Sequence, residues 1–443
     1  MRNCSIIFLY LILLQQLVAA DYANLVSRDP LKWPFAQNSI WNTPIGSNAV
    51  YVNAQIEWAN NSSTVDEEYI IMTPKEPLMD VYYSSAGWDQ SKNRCIKTGW
   101  ILQSLPIPQN FIVSPTTWDG LTPNAGAAIL MPDGHTIKQN QPFAHCSQGG
   151  YATTMFKFND LDLYTDGMYG AHGGSGLSSI GGSLRVHELT PTSGPIRHAL
   201  KINLWGAKNL YYDNSTKGYR WPAQRADDYA GSGSNAYGSQ RTSPVVKECR
   251  MGALLALPST LDITALGLLT EPGRMLAQCF QDYGGYIVDD CAWDAYGISA
   301  ECSPAGRFID EFKKNWGFNF STNSLSSFGK DMIKIYAKLC VVDNNNAINV
   351  GGGGIRRAPL APPFTSTTEV VEVDRTKLEI YPNPSNDFIK VKGASGKLRI
   401  ENLMGKTMIS TFSNQDEVIN ISSLNSGIYF LRTSDKSVKF IKK

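Results

Sequence analysis

The chain has almost no excess charge, with Lys plus Arg 40 against Asp plus Glu 39. Nucleic acid and anionic membrane surfaces are recognised by fields of one sign, so neither is an expected partner. Beyond the N-terminal segment, no apolar run reaches the ~20 residues of a membrane-spanning helix, and none is expected in the mature chain. Close cysteine pairs are missing too: no Cys-x-x-Cys occurs, and zinc sites are normally built from such pairs. There is no His-Glu-x-x-His, no Gly-x-Ser-x-Gly around Ser175, and no Gly-Lys-Ser/Thr that ends the glycine-dense stretch of residues 166–182. Those absences disfavour a zinc or serine peptidase and a phosphate-loop enzyme. No repeat is found at periods of roughly 20–50 residues.

What remains is a folded composition, 42% apolar and 18% charged, long enough for more than one core, since single cores stop growing near ~250 residues. Arg2, the apolar stretch Ile6 to Val18 and the small residues Val18-Ala19-Ala20 read as a secretory signal peptide over residues 1–20. Removing it takes away Cys4 and leaves seven cysteines, an odd number that can oxidise outside the cytosol with at least one unpaired within the chain. Connectivity does not follow from spacing; Cys291–Cys302, which closes a short loop, is the expectation.

Composition changes after Gly351-Gly352-Gly353-Gly354, where Pro359, Pro362, Pro363 and a Ser/Thr run mark a linker, residues 361–376. Residues 377–443 hold 11 Lys/Arg and 6 Asp/Glu, a net of +5. Their short alternating stretches, separated by Asn, Gly and Ser, predict a small antiparallel β-sandwich of Ig-like kind. Tyr381-Pro382-Asn383-Pro384-Ser385, Ile400-Glu401-Asn402-Leu403-Met404-Gly405, Leu424-Asn425-Ser426-Gly427-Ile428-Tyr429-Phe430 and the closing Lys439-Phe440-Ile441-Lys442-Lys443 together resemble the C-terminal sorting domain of type IX secretion substrates. The resemblance implies a partner, the outer-membrane secretion machinery, and a destination on or beyond the cell surface. It implies no catalysis by this segment.

The cargo therefore lies in residues 21–360. Strands are expected at Ala127 to Met131, Thr154 to Phe158, Leu184 to Leu189 and Ile196 to Leu204, broken by Gly, Asn, Asp and Pro clusters. Thr270 followed by Glu271-Pro272 caps a helix, and Phe308 to Trp316 and Met332 to Leu339 read as two more. The fold expected is mainly β: a large β-sandwich or jelly-roll-like central domain with peripheral helices, plus the small C-terminal sandwich.

All five histidines, His135, His145, His172, His187 and His198, fall within 64 residues. Imidazole is the side chain most easily poised as acid, base or ligand near neutral pH, so this stretch is the leading candidate for a site. No spacing matches a metal motif, so no metal ligands or cofactor are assigned; any shared metal would be assembled across strands. His172 sits in a glycine-dense stretch, residues 166–182, which permits close approach of backbone to a ligand. The alternation of the last expected strand puts His198 with Leu200, Ile202 and Leu204 on one face, and Lys201 and Asn203 on the other. Asp290 and Asp294 share a strand face at ~13 Å, too far apart for a glycosidase pair, so an acid such as Asp166 or Glu188 would have to join one of them.

The candidate catalytic residues are thus His172, His198, Asp166, Glu188, Tyr219 and Asp290, with Arg185, Arg220, Trp221 and His145 as candidate substrate contacts. All ten tryptophans lie between Trp33 and Trp316, and indole faces suit sugar rings. The expectation is a secreted polysaccharide lyase or glycoside hydrolase with an extracellular polysaccharide as partner. The alternative is a non-catalytic cell-surface protein that binds glycan or mediates adhesion.

Overall fold

The computed structural model describes residues 27–89, 91–113, 124–291, 293–365, 378–392, 396–403, 405–413, 417–433 and 437–443. The expected signal peptide, residues 1–20, and most of the expected linker, from residue 366 to 376, lie outside these. The chain divides into two compact units, Met1–Thr365 and Ser366–Lys443.

The first unit is built on one mixed sheet of 14 strands. In chain order they are β1 Tyr51–Asn53, β2 Asn61–Ile71, β3 Leu78–Tyr83, β4 Ile101–Pro106, β5 Ala127–Leu130, β6 Thr136–Ala144, β7 Ala152–Lys157, β8 Leu161–Asp162, β9 Leu200–Leu204, β10 Leu254–Ala256, β11 Gly285–Asp290, β12 Ala295–Ser303, β13 Gly306–Arg307 and β14 Cys340–Val342. They run β1-β14-β10-β11-β9-β12-β2-β5-β6-β7-β3-β4, with β13 against β12 and β8 against β6. The architecture is mainly β with peripheral helices, as expected.

Alternation decides the two faces of the centre. The helices are α1 Gly206–Asn209, α2 Glu271–Asp282, α3 Phe308–Trp316 and α4 Ser327–Tyr336, and Leu200, Ile202 and Leu204 of β9, Ile287 of β11, Ile298 of β12 and Val65 of β2 join an apolar cluster with the last three. Lys201 and Asn203 face the other way, yet both are wholly buried. That opposite face holds buried polar and charged side chains.

Helix α2 begins where its cap predicts: the Thr270 hydroxyl accepts from Gly273 N–H at 3.1 Å, with proline in the first turn. Helix α3 matches its expected span, and α4 starts five residues before Met332, at a Ser326 cap. Two expected strands are shorter or absent. Leu184 to Leu189 is loop, paired with β12 by a bridge between Leu184 and Ala300 and by Arg185 and Val186 on Glu301, and His198 precedes the strand that starts at Leu200.

The disulfide is Cys95–Cys146, and the expected Cys291–Cys302 pair does not form. Cys291 stands just before β12 and Cys302 near its far end, and an extended strand carries successive residues ~3.3 Å apart. Both remain free thiols, buried like Cys249, Cys279 and Cys340.

The second unit has two antiparallel sheets, three strands and four strands, around one apolar cluster that includes Ile389, Val391, Ile400, Leu431 and Phe440. This is the expected small sandwich. No helix among the described residues is long and apolar enough to cross a membrane.

Buried Asp331 of α4 accepts from Leu269 N–H, Thr270 N–H and the Thr270 hydroxyl, each at 2.7 Å, and so holds the start of α2. Asp331→Ala leaves these donors unsatisfied and is expected to cost roughly 2–3 kcal/mol in urea unfolding, with Asp331→Asn recovering part of it.

Candidate functional site

On the polar face of the central strands, Asp66 and Glu68 of β2 lie beside Lys201 and Asn203 of β9. Ser299 of β12 is the register partner of Asp66. Between β2 and β9, β12 presents Gly297, whose missing side chain leaves space beside Asn203. A register shift between Ile287 and Asp289 of β11 pairs Asp289 with Asn203. The asparagine amide bridges the strands, donating to Asp66 Oδ2 at 3.0 Å.

The glycine-dense segment lies flat on this face, which explains its composition. A Cβ at Gly170 would collide with Gln139, and one at Gly174 would stand 2.5 Å from Asp289 Oδ1 and 3.2 Å from Asp227 Oδ1. His172 is thereby pressed into the polar layer with 1% exposure. Its Nδ1 donates to Asp289 Oδ2 at 3.2 Å, while Nε2 lies 2.5 Å from Glu68 Oε1. Lys201 Nζ is 3.2 Å from the same Glu68 oxygen and donates to Ser178 O at 3.0 Å. Asn124 Nδ2 reaches both Asp66 and Asp289 at 3.1 Å.

Charges this deep persist only when partners offset their lost hydration. Burial alone would drive the His172 imidazole toward neutrality, but Glu68 and Asp289 outweigh it and raise its pKa to about 9. Burial pushes the Glu68 carboxyl up, yet Lys201 and His172 hold it below its ordinary value. The Lys201 ammonium is lowered by burial, with Glu68 opposing.

Two more carboxyls stand toward solvent. Burial, and then the neighbouring Asp289, push Asp227 up to about 7; its Oδ2 accepts from the Tyr237 hydroxyl at 2.6 Å. Asp290 is raised well above the carboxylate range by burial, although Gly206 N–H and the Tyr229 hydroxyl donate to it at 2.5 and 3.0 Å. Tyr229 itself is 43% exposed. The whole assembly sets five carboxyl groups against one lysine and one histidine.

Of the residues singled out from sequence, His172 and Asp290 fall in this assembly. His198, Glu188 and Arg185 meet elsewhere, lining a cavity of about 450 Å³. There His198 Nε2 lies 3.0 Å from Glu188 Oε2, and Arg185 Nε donates to Glu301 at 2.7 Å. Burial lowers the His198 imidazole, but Glu188 overcomes it and the net shift is upward. The remaining candidates are dispersed. Asp166 is exposed and caps a turn at Met168 N–H. Tyr219 pairs with Met251 and packs on the apolar cluster, Arg220 binds Asp343, and Trp221 packs against another apolar cluster of the first unit, which includes Trp41, Ile180 and Tyr286. His145 is buried with Nδ1 on Phe111 O at 2.6 Å.

The five histidines therefore do not form one site. The chain between residues 135 and 198 crosses β6, β7 and the glycine-rich loop, and each ring finds separate partners: Asp162 for His135 and Glu311 for His187. Nor do Asp290 and Asp294 share a strand face, because β11 ends at Asp290 and Asp294 turns to Asn60 N–H. Sequence reasoning missed Asp66, Glu68, Lys201, Asp227, Tyr229 and Asp289. The available signal was Val65-Asp66-Glu67-Glu68-Tyr69-Ile70-Ile71, three acids inside a run of strand formers.

No curated protein matches the chain. One solved structure is similar over a short stretch, described as "Structural and functional probing of PorZ, an essential bacterial surface component of the type-IX secretion system of human oral-microbiomic Porphyromonas gingivalis". Identity is 19%, the match covers 17% of this chain and 12% of that one, and the TM-score is 0.15. The four motifs of the tail, its small sandwich and the family match over residues 379–443 agree. The C-terminal unit is a secretion system C-terminal sorting domain, and the chain is a type IX secretion substrate destined for the cell surface or beyond.

Proposed function

We propose that the first unit is a secreted glycoside hydrolase whose reacting groups are Asp227 and Asp290. The observation that carries this reading is that Asp227 and Asp290 act on each other electrostatically and each accepts a hydrogen bond from a tyrosine hydroxyl, Tyr237 for the first and Tyr229 for the second. Burial raises the Asp290 carboxyl and the Asp227 charge raises it further, so the group keeps its proton more readily than a free carboxyl does. Glycosidic cleavage needs that state: one carboxyl protonates the departing oxygen and the other serves water or the anomeric carbon. Asp289, fixed by His172 and Asn124, is a positioning residue beneath them.

A lyase requires a cation to neutralise a uronate carboxylate. The groups that act on Asp227 and Asp290 include Asp228, Asp289, Tyr229 and Tyr237, an acidic set that disfavours such a substrate. A neutral extracellular polysaccharide is the fitting partner. The second reading, glycan binding without catalysis, draws on Trp100, 72% exposed and stacked on Tyr83, and Trp88, stacked on Phe156.

Asp227→Asn and Asp290→Asn are each expected to lower reducing-end release from the cleaved polysaccharide at least 100-fold; undiminished release would remove the pair from the mechanism. Asp227 also predicts a pH signature. Its folded pKa lies above the unfolded value, so its ionisation costs stability as pH rises from about 4 through 7. Asp227→Asn is therefore expected to unfold at higher urea than the parent at pH 8, by roughly 2–4 kcal/mol, and at nearly the same urea at pH 4. Deleting residues 377–443 is expected to leave the cargo in the periplasm, as read by cell fractionation.

A further inference from the structure

The polar layer contains oxygens that nothing in the protein satisfies. Glu68 Oε2, Ser179 Oγ, Asn203 Oδ1 and Ser299 Oγ are fully buried without a hydrogen-bond partner. Buried polar atoms normally pair, and each orphan calls for a cause. These four cluster: Ser299 is the register partner of Asp66, Asn203 bonds Asp66, and Glu68 Oε2 and Ser179 Oγ converge on Gly126. A Cβ on Gly126 would collide with Glu68 Oε2 and stand 3.2 Å from Ser179 Oγ, so the glycine leaves room at the point both oxygens face.

His172 adds a nitrogen to this ring of oxygens. Its Nδ1 donates to Asp289, yet Nε2 makes no aligned hydrogen bond despite its closeness to Glu68. A ring held through Nδ1–H by a carboxylate, with the Nε2 lone pair directed inward, is the arrangement that orients imidazole on a metal. Ligand atoms of Asp66, Glu68 and His172 lie within 4.8 Å of one another. An ion with ~2.1 Å bonds places adjacent ligands about 3 Å apart and opposite ones about 4.2 Å apart, within reach of small side-chain shifts.

We propose that one divalent cation binds between Asp66, Glu68 and His172, with Ser179 and Asn203 offering further oxygens. Binding displaces the His172 Nε2 proton, after which Asp66, Glu68 and Asp289 against Lys201 leave two negative charges facing the cation. Carboxylate, hydroxyl and amide oxygens with a single imidazole suit Mn²⁺ better than thiolate-seeking ions. Lys201 keeps Glu68 Oε1, which leaves Oε2 for the cation. The proposal goes beyond the hydrolase reading and does not depend on it.

The test uses full-length protein stripped with EDTA and then titrated with Mn²⁺, Ca²⁺ and Zn²⁺ in separate arms. One cation per chain is expected, with a rise of several degrees in melting temperature. In the Mn²⁺ arm, nitrogen coupling in the electron spin-echo spectrum is expected from His172. Gly126→Ala, which puts a methyl group into the space, and Asp66→Asn are expected to weaken binding at least tenfold. Since either variant can fold poorly, circular dichroism is recorded alongside, and the wild-type spectrum decides alone if both unfold. Stoichiometric binding by none of the ions, binding indifferent to both folded variants, or bound Mn²⁺ without nitrogen coupling overturns the proposal. None of these readouts requires catalysis, so they are independent of any failure of the hydrolase assay.

Discussion

Glu68 is the carboxylate on which the rest of the first unit turns. It sits at 1% side-chain exposure, in contact with both His172 and Lys201. A lone anion at that depth would cost several kcal/mol, so the two cations and Glu68 stand or fall together. The sheet supplies two of the three from β2 and β9, and the glycine-rich loop supplies the third. The loop can lie that close only because Gly170, Gly173 and Gly174 lack side chains where Gln139, Gln141 and Asp289 press against them. A loop composition, a strand alternation and a buried charge are thus one constraint seen three ways.

That constraint reaches Asp227 through Asp289. Bonded by His172 and Asn124, Asp289 stands with Asp227 against Gly174, and its charge helps keep the Asp227 proton in place. A deep, paired layer supports a shallower, acid-rich one near exposed Tyr229. The two faces of the central strands divide accordingly: one packs into the apolar cluster against α2, α3 and α4, and the other holds the buried charges.

Local signals were legible where they act locally. The cap at Thr270, the amphipathic span of Phe308–Trp316 and the alternating tail strands depend on residues a few positions apart. The sorting motifs were legible for the same reason. Alternation in β9 correctly separated Lys201 and Asn203 from Leu200, Ile202 and Leu204, but a polar strand face is ordinarily solvent-facing, and this one is buried. Asp66 and Glu68 were illegible because acids argue against a central strand, and only their long-range pairing with β9 and the glycine loop makes one. Histidines close in sequence misled, since the chain disperses them over separate walls; His172 was found through its glycines rather than through its neighbours of the same type.

The central claim is that the Glu68–His172–Lys201 layer exists for function and not to hold the fold. Replacing all three with near-isosteric neutral residues, Glu68→Gln, His172→Gln and Lys201→Met, and measuring urea unfolding at pH 7 tests it most directly. Removing every charge at once avoids stranding a buried partner. The account predicts a variant as stable as the parent or more so, with glycan cleavage abolished. A variant destabilised by more than about 3 kcal/mol would show the layer to be structural and contradict the account.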